Sequence, residues 1–223
     1  MSLSSRPAAR PEAAERSWYI TGRWQEFEGE ARANLLRVVA IAAFYAVELL
    51  NYHGLRLGAW EPWPGGGVDR PFHEAVTALA VAWVALSAGV AVCLRQRVFP
   101  AFLKYLATGA DLIFLTGVLV LADGPRSPLV VGYFLVIAMA ALRFSLPLVW
   151  FSTVGAVLGY LFLLGQARYF AGTRDLTVPR HHQLIVLLAL VFNGVIVGQV
   201  VRRVRLLAAD YARRLGAAGG HGA

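Results

Sequence analysis

Asp111 places a carboxylate inside a strongly apolar run, DLIFLTGVLVLADGPRSPL, residues 111–129. In hydrocarbon an ionised carboxylate costs at least about 2.5 kcal/mol, so such a group must be protonated, paired or turned into protein. Few polar side chains lie within the apolar stretches to receive it, chiefly Thr108, Thr116, Tyr133, Tyr160, Asn193 and Gln199. A hydrogen bond of that kind across membrane helices is worth only about 0.6 kcal/mol on average. Two roles are open for Asp111, a functional ionisable group and a structural stitch. Thr116, Asn193 and Glu48 are the further polar candidates for a signal, ligand or helix-contact site.

Four of the five histidines, His53, His73, His181 and His182, fall at the ends of apolar blocks, with Glu48, Asp69, Glu74 and Asp175 near them in sequence. Two or three converging imidazoles would suit zinc or copper, or would form a proton-sensitive cluster titrating near neutral pH. No pair has the i, i+4 spacing of a helical metal site, so solvated interfacial histidines are the third reading. None lies deep enough in a block to be an axial haem ligand, and no cofactor is expected. The chain contains neither G-x-S-x-G nor H-E-x-x-H, and its single cysteine, Cys93, excludes an internal disulfide. Gly65, Gly66 and Gly67 follow no strand, so they are no phosphate cradle. Enzymatic chemistry is not expected.

The elements that must position these groups are set by hydropathy. The 223 residues are 58% hydrophobic and 15% charged. Apolar residues come in blocks of about 20, the length of helix that crosses a hydrocarbon core. Six blocks stand out, at about 33–53, 73–95, 100–122, 128–143, 147–168 and 183–203. They predict an all-α polytopic membrane protein with a bundle of six transmembrane helices over 33–203. The fourth block is short, so it is expected to run past Arg143, with that side chain reaching to the headgroups. The break after Leu121 supplies a turn at Asp123-Gly124-Pro125 and a helix start at Ser127-Pro128.

Residues 1–16 read as a disordered tail, 17–32 as an interfacial amphipathic segment, 204–215 as a cytoplasmic helical extension and 216–223 as a second tail. No cleavable signal peptide is visible in the Arg-, Glu- and Pro-rich start. With the N-terminus inside, fifteen Lys and Arg fall on cytoplasmic segments and six outside, so both ends are expected in the cytoplasm. Basic flanks at anionic lipid account for the net charge of +8, and no nucleic-acid surface survives removal of the spans. Val201, Val204, Ala208, Tyr211 and Leu215 are spaced 3, 4, 3, 4, which reads as a coiled-coil seam for coupling to a partner or as an amphipathic face on the inner leaflet.

From Asp111 the chain runs through Thr116, Gly124, Ser127-Pro128 and Tyr133-Phe134 to Arg143-Phe144-Ser145. This order resembles the six-span membrane input domain of bacterial sensor histidine kinases and related cyclase receptors, over about residues 100–165. The family turn is commonly Gly-Gly, where this chain has Asp123-Gly124. The resemblance implies a sixth span continuing as a signalling helix, a location in the bacterial inner membrane, and a homodimer or a membrane or cytoplasmic protein partner. Nothing after Leu215 could supply kinase chemistry, so a non-enzymatic relay is the leading expectation. An accessory or structural subunit of a larger membrane complex is the alternative, with a small transporter third.

Overall fold

The computed structural model describes residues 9–52, 69–96, 100, 102–170 and 176–219. Among them every regular element is helical: α1 Ala9–Tyr52, α2 Arg70–Arg95, α3 Leu103–Leu121, α4 Val131–Ala141, α5 Leu146–Tyr169 and α6 Arg180–Gly219. Five stretches are long and apolar enough to cross a membrane: Glu28–Leu50, Arg70–Arg95, Leu103–Leu121, Leu146–Tyr169 and Arg180–Tyr211. A sixth, Pro128–Ala141, is apolar but shorter. Large apolar side chains such as Leu35, Ile113, Phe162 and Ile196 face outward, while Tyr133, Ile137, Ala156, Tyr160, Leu163 and Leu190 fill the centre. An apolar outside around a packed inside is the arrangement expected where lipid, not water, is the solvent.

Proline sets several boundaries. Pro71 and Pro147 stand in the first turns of α2 and α5, where a missing N–H breaks no helical bond. Between α3 and α4 come two 3-10 turns, Gly124–Arg126 and Pro128–Val130. Gly124 takes φ +57°, and Ser127 Oγ accepts from Leu129 N–H at 3.3 Å, so this break is built as its sequence implies. The α4–α5 connection is tighter still, reversing at Phe144 with φ 48°.

Two contacts orient α4. The guanidinium of Arg126 donates to Thr177 O at 2.8 Å, so the α3–α4 turn sits at the end of the bundle where α6 begins. At the other end Arg143 donates to Lys104 O at 3.2 Å, beside the start of α3. The short helix therefore lies between the end of the bundle where α6 begins and the start of α3.

Two boundaries differ from the sequence reading. The first helix starts at Ala9 and continues without a break to Tyr52, so residues 9–16 of the expected tail and the whole expected interfacial segment belong to the same helix as the first span. Ala, Glu and Arg dominate residues 9–16, and these are strong helix formers. At the other end α6 persists to Gly219, past the expected stop at residue 215.

Candidate functional site

The centre of interest is the inward stripe of α1. Glu30, Asn34, Arg37, Ile41, Tyr45, Glu48 and Tyr52 recur at intervals of three and four and so share one face. Six of the seven are polar or amphipathic, and the outward face carries Leu35, Leu36, Val38, Val39 and Val47.

Arg37 answers the question posed by Asp111. Its Nε and Nη2 donate to the two carboxylate oxygens of Asp111 at 2.6 and 2.9 Å, a bidentate pair of which about 1% and 3% of the side chains are exposed. Trp83 Nε1 adds a third donor to Oδ1 at 2.8 Å. The remaining Arg37 nitrogen, Nη1, donates to Asn34 Oδ1 at 2.7 Å, and Asn34 Nδ2 in turn reaches Ser87 O at 3.1 Å. Asp111 thus joins α1, α2 and α3. None of the partners expected for it from sequence is used. Arg37 lies near the start of the first apolar block, 74 residues from its partner.

A second pair lies two turns nearer the N-terminus of α1. Arg143 Nη2 donates to Glu30 Oε1 at 2.6 Å, and its Nε stands 2.6 Å from Oε2. Arg143 Nη1 also donates to Thr108 Oγ1, whose own hydroxyl bonds back to Lys104 O at 2.8 Å. Arg143 does not reach to the headgroups as the sequence led one to expect; it is only 5% exposed. Gly29 explains why: a Cβ there would lie 2.6 Å from Leu142 O, so only glycine lets α1 pass close enough to set Glu30 against the turn. The two pairs together are electrically neutral. That is the condition for burying four ionised groups in a bundle that faces hydrocarbon.

Towards the other end of α1, Tyr45 Oη and Thr77 Oγ1 lie 3.0 Å apart, and His73 Nδ1 is 2.8 Å from Glu48 Oε1. The Tyr52 ring stacks on His73 with centroids 3.9 Å apart. His73 is therefore engaged by α1. His181 and His182 stand together at the start of α6, rings 6.5 Å apart, and His53 lies outside the described residues. Among the described residues no group of three His, Cys, Asp or Glu side chains could hold a metal. His73 belongs to α2, whereas His181 and His182 both belong to α6.

The other sequence candidates are separated from the charge network. Thr116 Oγ1 donates back to Leu112 O at 2.6 Å and pairs with Tyr133 Oη at 2.8 Å, tying α3 to α4. Asn193 keeps a buried Nδ2 with no hydrogen-bond partner among the described residues. Val201 is buried beside Ala140, Leu148 and Val149, whereas Val204, Ala208 and Tyr211 are exposed beyond it. The side chain of Leu215 lies outside the described residues. What sequence reasoning missed is Glu30, Asn34, Arg37, Trp83 and Arg143. The three-and-four spacing of polar residues through an apolar first span was the signal that could have found the α1 members.

No protein-family model, curated protein or solved structure matches this chain.

Proposed function

We propose that this chain is a non-enzymatic, six-span module of the bacterial inner membrane, similar in role to a sensor-kinase input domain. It passes a signal from the membrane or the outer face to a partner at the cytoplasmic end of α6. One observation carries this reading. The same side of α6 that enters the core at Val201 continues as an unbroken helix past the bundle, where Val204, Ala208 and Tyr211 lie open. A helix rigidly seated at one end and bare at the other can hand a small rotation or shift to whatever docks on the bare part. Forty residues at about 1.5 Å each give α6 a length of about 60 Å, twice the hydrocarbon thickness.

The partner is a second copy or a cytoplasmic protein using the same seam. Oxidative cross-linking of Ala208→Cys in native membranes, in a Cys93→Ala background, tests it. The expected result is a symmetric dimer or a stable co-purified complex. A monomer that neither cross-links nor retains a partner would remove the relay.

A further inference from the structure

We infer that the crevice between α1, α2 and α4 is a binding site for a membrane-dissolved amphiphile whose head donates a hydrogen bond. The head sits at Glu48. This rests on the geometry of α1 and not on the relay at α6.

The crevice comprises two adjoining cavities that share lining residues. The upper one encloses ≈ 80 Å³ and is lined by Phe44, Glu48, Val76, Trp83, Leu115 and Leu129 among others. The lower one, ≈ 20 Å³, shares Ile41, Phe44, Trp83 and Leu115 with it and continues toward Arg37 and Met139. Leu135, 42% exposed, stands at the lower mouth, so the opening faces sideways into lipid between α1 and α4. Those two helices barely touch, since α1 is held to the rest by its polar stripe.

The lining is mainly apolar, with Glu48 at one end, Arg37 at the other and Tyr45, whose hydroxyl pairs with Thr77, beside Glu48. Glu48, only 11% exposed, spends Oε1 on His73, while Oε2 is buried and, among the described residues, has no hydrogen-bond partner. A carboxylate oxygen withdrawn from water and left unpaired costs free energy that a donor would recover. Arg37 at the opposite end is no rival anchor, because Asp111 and Asn34 already occupy it. The site therefore selects an apolar body with a terminal amine or hydroxyl. The enclosed volume fits the head and the first carbons, and the tail leaves through the gap by Leu135 into the bilayer.

The test uses the purified full chain in phosphatidylcholine nanodiscs and a dodecylamine bearing a photoreactive diazirine, with adducts mapped by mass spectrometry. Adducts are expected on residues 41–48 and 115–129. Unlabelled dodecylamine or dodecanol should displace the probe, and the stronger of the two identifies the head as charged or neutral. Methyl dodecanoate, which accepts but cannot donate, should not compete. Glu48→Gln, which turns the unpaired acceptor into an amide, should weaken labelling about tenfold, the loss expected for one hydrogen bond to a charged group. Leu129→Trp leaves the Glu48 and His73 pair alone and should block the crevice sterically. Labelling spread over the lipid-facing sides of α5 and α6, equal competition by methyl dodecanoate, or wild-type labelling in both variants would overturn the site. No partner protein is present, so none of these failures bears on the α6 relay.

Discussion

At the scale of single residues, the ion pair between Arg37 and Asp111 decides what Asp111 can be. The carboxyl group faces a guanidinium through two hydrogen bonds and an indole N–H through a third, so removing either partner of the pair strands the other inside the bundle. Asp111→Leu is expected to lower unfolding stability in detergent by about 3–5 kcal/mol, while combining it with Arg37→Met should recover most of that loss. A thermal-melt double-mutant cycle measures it. Additive losses in the cycle would mean that the two side chains do not interact. Asp111→Asn is also expected to destabilise, since an amide cannot balance Arg37. The position of Asp111 was plain in the sequence, because one acid in an apolar run stands out. Its partner was not: a lone arginine near the start of a span has the same local pattern whether it faces headgroups or a buried acid.

At the scale of elements, α1 is an inside-out helix. Most of its large apolar side chains face lipid, and its inward face, apart from Ala33 and Ile41, carries charges, amides and phenols aimed at α2, α3 and the α4–α5 turn. Such contacts need close backbone approach, and Gly29 supplies it at the turn. Gly29→Leu should force α1 off Leu142, part Glu30 from Arg143 and cost about 1–3 kcal/mol by overpacking alone. Gly89→Leu, at an exposed position where an added Cβ meets nothing within 4 Å, is the matched control and should melt like the wild type. Equal melting of the two variants would mean that the contact at Gly29 carries no weight. The helices themselves were legible, since block length and proline positions fix them. Which face of α1 turned inward was legible only from the polar spacing, and the length of α1 was obscured by reading charge as disorder where residues 9–16 are helix formers.

At the scale of the whole molecule, the short fourth helix and the Glu30–Arg143 pair are two parts of one solution. Pro128–Ala141 is 14 residues, about 21 Å as helix, well under the roughly 30 Å of a typical hydrocarbon core. If its outer end is level with the start of α6, where Arg126 meets Thr177, its inner turn stops short of the headgroups. Arg143 sits at that turn. Glu30, Thr108 and the Lys104 carbonyl take up its donors there, which lets the chain reverse without exposing a charge to lipid. The topology proposed above makes α4 the fourth of six crossings and puts Asp123 on the outer side and Phe144 on the inner. Both are exposed, so single cysteines at these two positions in a Cys93→Ala background report the crossing directly. A membrane-impermeant maleimide added to intact cells with a permeabilised outer layer should label Asp123→Cys at once and Phe144→Cys only after the inner membrane is opened. Equal labelling of the two before opening would mean that α4 does not cross. The inner placement of both termini, and of the α6 seam, would then have to be abandoned with it.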